Sequence, residues 1–199
     1  MPTTLNSGAR PGRGRPRAFD PDAALEVGQR LFHASGYDGV GLSALTEALG
    51  IKPPSFYMAF GSKAAFFERV LERYAQTEIP LGDVLRAGRA PAEALGELLV
   101  RAARTYARDP ERPGCLVLEA ARGHGDSESA LLARRTAEGR RAQVKTFVAA
   151  THPKVAGVVT DLVSTVMSGL SANAREGMGE ARLVKVARAA AAGIEGILR

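Results

Sequence analysis

The sequence of 199 residues contains one cysteine, Cys115, and no stretch of about 18 apolar residues that could cross a membrane. A single cysteine excludes an intramolecular disulfide and a zinc site built on several thiolates. The first 17 residues are polar and arginine-rich and lack the apolar core of a secretory signal. We therefore expect a cytoplasmic protein that is not bound to a membrane and that works in a reducing compartment.

Catalytic and metal-binding patterns are also lacking. His33, His124 and His152 lie far apart on different predicted elements, without the paired spacing of a metal site. Glu119 and His124 are a conceivable acid/base couple, but a glycine-rich loop separates them. For Cys115 the pattern favours a small buried residue, and a redox switch activated by a nearby helix N-terminus is the alternative. The sequence predicts no metal, no cofactor and no enzyme activity.

Basic residues exceed acidic ones, and the formal net charge is +6. The excess is uneven, because residues 1–19 carry four arginines and no acidic residue, whereas residues 20–78 carry eight acidic residues against five basic ones. Net charge alone therefore indicates little about function. The one-sided arm immediately before a predicted folded segment indicates contact with nucleic acid.

Apolar residues after residue 20 recur at three- and four-residue steps, and no strand alternation interrupts them. The first predicted helix is capped by Asp20, has Pro21 at its first position and ends at Gly36. Another long helix, capped by Ser62, carries an apolar stripe formed by Phe66, Phe67, Val70, Leu71 and Tyr74. The pattern predicts an all-α fold.

Two short helices are predicted between these long ones. Residues 42–49 form barely two turns, with either Gly41 or Ser43 as the N-cap, and residues 54–59 form the second helix after a turn at residues 50–53. Helices this short are marginal alone and need packing against their neighbours. Two short helices joined by a tight glycine-containing turn are the form of a helix-turn-helix, whose second helix lies in the DNA major groove.

Residues 45–63, LTEALGIKPPSFYMAFGSK, closely resemble the helix-turn-helix signature of the TetR (tetracycline-repressor) family. Residues 32–37, FHASGY, match the end of that family's first helix. The resemblance implies a DNA-binding regulator, acting as a repressor that a small molecule releases, with activation left open. Many members have hydroxyl residues where Val40 and Gly41 stand, and Ser43 is our candidate for their contact with phosphate.

Further DNA contacts are expected around the second short helix. Lys52, Pro54 and Ser55 stand where the turn meets the groove, within reach of base edges or phosphates. The Tyr57 hydroxyl can donate to a phosphate, and Lys63 adds a positive charge at a helix N-terminus that already favours anions. The alternative interpretations are a half-buried ring for Tyr57 and a solvated lysine for Lys63.

Phe56 and Phe60, on the same short helix, are predicted to be core residues. The arm at residues 10–17, RPGRGRPR, resembles an AT-hook. Its arginines suit the narrow minor groove of A·T-rich DNA, so we expect DNA contacts from Arg13, Arg15 and Arg17. A solvated tail is the alternative.

The C-terminal part contains a connection rich in glycine and proline at residues 80–91, then helices with apolar stripes. Residues 112–116 (RPGCL) and 169–177 (GLSANAREG) resemble motifs in a branch of the TetR family. The last two helices are the most regular, and we expect them to pair with their two-fold mates in a four-helix bundle. The predicted interface residues are Val159, Leu162, Val166, Leu170, Val186, Ala190 and Ile194.

Three segments are predicted in all: a basic arm at residues 1–19, a DNA-binding domain at 20–78, and an effector-binding and dimerisation domain at 79–199. The expected function is sequence-specific transcriptional regulation by a homodimer on a palindromic operator, with an unidentified small-molecule effector bound among the middle helices. The alternative is an architectural protein that binds A·T-rich DNA without strong site preference.

Overall fold

The computed structural model of the chain describes residues 20–123 and 125–199. The elements assigned in those residues are all α-helices, so the predicted all-α fold is confirmed. In chain order the helices are α1 (Pro21–Gly39), α2 (Leu42–Ala48), α3 (Pro53–Phe60), α4 (Lys63–Thr77), α5 (Leu81–Val84), α6 (Pro91–Ala107), α7 (Leu116–Ala121), α8 (Glu128–Ala149), α9 (Ala156–Arg175) and α10 (Glu180–Ile197).

Side-chain caps begin the two long helices of the N-terminal part, as predicted. The Asp20 carboxylate accepts hydrogen bonds from two backbone amides of the first turn of α1, and the Ser62 hydroxyl accepts one from the amide of Ala65 at 3.0 Å. Gly36, the predicted end of the first helix, has φ +71 and breaks the helical geometry. The assigned helix continues beyond this break to Gly39.

Aromatic rings fill the space between α1, α3 and α4. Phe32 and Phe67 meet edge to face with centroids 4.8 Å apart, and Phe60 and Phe66 meet at 4.5 Å. All four rings are buried. Large rings bury enough apolar surface to hold the two short helices in a small domain.

The C-terminal helices pack around α6, α8 and α9, with α10 lying along α6. Helix α4 contacts both α7 and α8, so the last helix of the N-terminal part also belongs to the core of the C-terminal part. Ile79, Leu81 and Val84 continue this core directly after α4. The predicted boundary between residues 78 and 79 therefore falls just after α4, within a continuous apolar core.

Candidate DNA-reading surface and effector cavity

A tight turn and two buried rings position helix α3. Gly50 adopts φ +64, a conformation that glycine tolerates, and the amide of Ile51 donates to the carbonyl of Thr46 at 3.0 Å. On α3 itself, Phe56 and Phe60 are buried, as predicted for core residues. With these two rings inside, the opposite side of α3 faces outward.

The outward side of α3 carries the side chains that we expect to contact DNA. Lys52, Pro54 and Ser55 are exposed, and Tyr57 is 50% exposed. Met58, which we did not predict to contact DNA, is 90% exposed on the same surface. Met58 follows Ser55 by three residues, and residues at that spacing lie on the same side of a helix, so the sequence did contain a signal for its exposure. These five residues form what we call the reading surface.

Helix α2 begins after Gly41, which is its N-cap, and no side chain makes a capping hydrogen bond there. Ser43 is therefore not the cap, and it lies exposed in the first turn of α2. Its hydroxyl is accessible to a phosphate. The contact between Ser43 and DNA stays a prediction.

Lys63 has a structural partner within the chain. Its ammonium donates to the backbone carbonyl of Tyr37 at 2.7 Å and lies 4.0 Å from the centre of the Tyr37 ring. Burial lowers the pKa of Lys63. The side chain thus joins the start of α4 to the end of α1, which neither sequence interpretation anticipated. An ammonium has three donors, so a phosphate contact stays a prediction.

The basic arm, with Arg13, Arg15 and Arg17, lies outside the described residues. Its predicted minor-groove contacts therefore rest on the sequence alone.

The apolar stripes of α9 and α10 divide into inner and outer faces. Val159, Leu170 and Ile194 are buried inside their own subunit, so they offer no surface to a partner, in contrast to our prediction. Leu162, Val166 and Ala190 are half-buried, and Val186 is 48% exposed. Val158 (56% exposed) and Ile197 (38% exposed), which were not predicted as interface residues, lie outward as well. Helix α9 packs against α6, α8 and α10, and α10 packs against α6 and α9, so only one side of each apolar stripe is buried within the subunit.

An apolar cavity of about 200 Å³ lies between α4, α6, α7, α8 and α9. Its walls include the apolar side chains of Leu98, Val117, Val144, Val163 and Met167. The hydroxyl of Tyr106, which is fully buried in this wall, has no hydrogen-bond partner in the part of the chain that the structure describes.

Arg140, on α8, is the cationic group in the cavity wall that reaches the N-terminal part. Its guanidinium donates to the carbonyls of Ala75 at 2.6 Å and Ile79 at 2.7 Å, at the C-terminal end of α4. A cation suits that end of a helix, where carbonyl oxygens lack partners and the helix dipole is negative. Neither sequence pattern nor motif singled out Arg140, because its partners lie more than sixty residues away.

The two motifs at residues 112–116 and 169–177 contact each other in the fold. Ser171 accepts a hydrogen bond from the backbone amide of Cys115 at 2.9 Å and donates one to Glu119 at 2.6 Å. Arg175 approaches the same carboxylate at 3.7 Å and donates to the carbonyl of Pro113 at 3.4 Å. The two segments thus form one packed junction between α7 and α9.

Cys115 is a buried free cysteine, as predicted for a small core residue. It is the N-cap of α7, but burial outweighs the nearby backbone amides and raises the pKa of its thiol. The thiol form is therefore favoured.

Two kinds of site are absent from residues 20–123 and 125–199. No group of three His, Cys, Asp or Glu side chains is arranged to hold a metal ion. In the same residues, no helix is long and apolar enough to span a membrane.

The α2–α3 pair with its reading surface defines a helix-turn-helix DNA-binding protein. Residues 24–70 match the model of the family described as bacterial regulatory proteins, tetR family. The HTH-type transcriptional repressor BdcR of Escherichia coli K12 is 45% identical over 93% of this chain and 94% of its own length. ComR, another HTH-type transcriptional repressor of E. coli K12, is 27% identical over 94% of each chain.

Among solved structures, the TetR family regulator CifR, a cysteine mutant complexed with 26-bp double-strand operator DNA, has a TM-score of 0.74 and 34% identity. The match covers 89% of this chain and 98% of CifR. This chain belongs to the TetR family, and it is a DNA-binding transcriptional regulator and not an enzyme. The architectural alternative is not favoured, because the relatives matched over nearly their whole length are transcriptional repressors.

Proposed function

We propose that the protein is a cytoplasmic homodimeric repressor that binds a palindromic operator through two copies of α3 and leaves it when a small molecule occupies the cavity. The observation that carries the proposal is the reading surface itself: α3 has Phe56 and Phe60 buried and Tyr57 and Met58 outward. One α3 helix contacts only a few base pairs, so a two-fold mate is needed for a specific site. The complex of the similar regulator CifR with double-strand operator DNA supports operator binding by this chain.

The dimer contact that we propose uses the outer faces of α9 and α10. Val158, Leu162 and Val166 follow one another at four-residue steps on α9, and Val186 and Ile197 lie outward on α10. These two helices contact each other within the subunit. Together they offer an apolar surface that a second copy can cover.

Selection of bound sequences from random double-stranded DNA by the full chain tests the proposal. We expect an enriched palindrome whose half-sites are about one helical turn, or a multiple of it, apart. Footprinting of the selected sequence should then show a bounded protected site. Binding without any enriched sequence would contradict specific regulation and support the architectural alternative.

A further inference from the structure

Arg140 is a cation in the cavity wall, and its hydrogen-bond partners among the described residues are neutral carbonyls. No carboxylate in the described part of the chain lies within 4.0 Å of its guanidinium, whereas the neighbouring Arg141 pairs with Asp161 at 2.6 Å. Burial lowers the pKa of Arg140, which remains a cation because guanidinium is such a strong base. A desolvated cation that is bonded only to neutral carbonyls is stabilised by any anion that can reach it.

Tyr106 provides a second unmet hydrogen-bonding group in the same cavity. Its hydroxyl is fully buried and unpartnered among the described residues, so an acceptor atom in the cavity would recover a hydrogen bond lost on folding. Apart from these two side chains, the walls near them are mostly apolar. The volume of about 200 Å³ exceeds the roughly 150 Å³ of an engineered cavity that holds benzene, so one small ring or a short chain fits.

We propose that the cavity binds a small monocarboxylate with an apolar body, whose carboxylate is recognised by Arg140 and Tyr106. The part of this inference that concerns DNA release rests on the proposed function; the binding itself does not. A neutral ligand would leave the Arg140 charge uncompensated, which is why the anion is favoured.

Binding of the carboxylate would be transmitted through α4. A carboxylate carries a full negative charge and therefore attracts the guanidinium more strongly than a neutral carbonyl does, so the ligand competes with Ala75 and Ile79 for Arg140. Loss of the hydrogen bonds from Arg140 leaves the carbonyls of Ala75 and Ile79 without this donor and so changes the C-terminal end of α4. The N-terminal end of α4 carries Lys63, which is bonded to α1, and directly follows α3. The ligand acts at the C-terminal end of α4 and therefore shifts α3, which directly precedes the N-terminal end of α4.

Isothermal titration calorimetry of the full chain with benzoate and with benzamide tests recognition of charge. The two probes share a ring and differ in charge, and hexanoate serves as a chain-like carboxylate. We expect benzoate or hexanoate to bind, and benzamide to bind at least about tenfold more weakly than benzoate. Equal binding of benzamide and benzoate, or no binding of either carboxylate, would overturn the proposal.

Variants assign the binding to the named residues. Arg140→Met should abolish the preference for the carboxylate, whereas Arg135→Met, at an exposed arginine of α8 outside the cavity wall, should preserve it. Tyr106→Phe removes only the unpartnered hydroxyl, so it should fold normally and lose about fivefold in carboxylate affinity. Unchanged carboxylate affinity in both Arg140→Met and Tyr106→Phe contradicts the assignment, and the second variant remains informative if the first does not fold.

Release of DNA is measured separately, by fluorescence anisotropy of the selected palindrome at constant ionic strength. We expect the bound carboxylate to lower operator affinity at least tenfold in the wild type and to have no effect in Arg140→Met. Carboxylate binding with unchanged operator affinity would overturn the coupling through α4. Failure to bind any specific DNA contradicts the proposed function instead, while the calorimetry still reports on the cavity.

Discussion

The ring of Phe66 on α4 lies against the backbone of Gly28 on α1, so closely that a methyl group at Gly28 would stand 2.5 Å from Cε1 of the ring. Gly28 is thus required for the approach of α1 to α4. The ring belongs to the aromatic core that supports α3, where Phe56 and Phe66 meet at 5.3 Å. Packing at Gly28 therefore helps to position α3.

Gly28→Ala should lower the free energy of unfolding by about 1–3 kcal/mol, because overpacking exceeds the gain in helix propensity. Gly139→Ala on α8 is the matched control: the added methyl group meets nothing within 4 Å, so stability should rise by about 0.5–1 kcal/mol. Urea unfolding followed by circular dichroism measures both. Equal effects of the two substitutions would contradict the close contact.

Tyr57→Phe removes a hydroxyl from the reading surface and retains the ring. Operator affinity should fall about fivefold, equivalent to roughly 1 kcal/mol and one hydrogen bond, without a change in thermal stability. Fluorescence anisotropy with the selected operator measures the affinity. Tyr106→Phe, on α6 in the cavity wall, should leave ligand-free operator affinity unchanged. Loss of stability with intact affinity would mean that Tyr57 is a structural residue.

Deletion of residues 1–17 removes four arginines and no acidic residue. Operator affinity should fall, and the dependence of affinity on salt should flatten by roughly 0.9 in logarithmic slope for each lost phosphate contact. Titrations at several salt concentrations measure the slope, and circular dichroism checks that the remaining chain is folded. An unchanged slope would indicate a solvated tail.

Val158 and Val159 are neighbours on α9 with opposite environments, the first exposed and the second buried. Val158→Asp should yield a folded monomer, because the carboxylate lies in the proposed interface. Val159→Asp should unfold the subunit, because burial of an unpaired charge costs several kcal/mol. Analytical ultracentrifugation and thermal unfolding separate the two results. A dimeric Val158→Asp protein would show that another face forms the dimer.

His33 packs edge to face on Tyr74 with centroids 5.6 Å apart, and its Nε2 has no hydrogen-bond partner in the described residues. Burial, with Arg112 and Arg175 adding to it, lowers the pKa of His33 below its usual value. The unfolded chain therefore binds the proton more readily, and stability should fall as the pH drops below about 6.5.

The expected fall from His33 is at most about 1.4 kcal/mol per pH unit. Comparison of urea unfolding at pH 7.5 and pH 5.5 measures it, and His33→Gln should show a smaller difference between the two pH values than the wild type. A variant with the same pH dependence as the wild type would assign the effect to another group.

Local signals in the sequence were sufficient for the helices and for the helix-turn-helix. Asp20 and Ser62 cap the helices that they were predicted to cap, because capping depends on a few neighbouring residues. Phe56 and Phe60 were separable from Tyr57 by helical spacing alone. The contact of Lys63 with Tyr37 was not predictable, because it joins positions 26 residues apart across a packed interface.

The sequence by itself thus determined the all-α fold, the family and four of the five residues of the reading surface, since each depends on short-range spacing and on a motif. Only the tertiary structure decided which edge of each C-terminal stripe is buried, so that Val159 lies inside and Val158 outside. It also brought Tyr106 and Arg140 into one cavity and Arg140 to the end of α4. Periodicity marks an apolar face, but contacts between distant segments determine what covers that face.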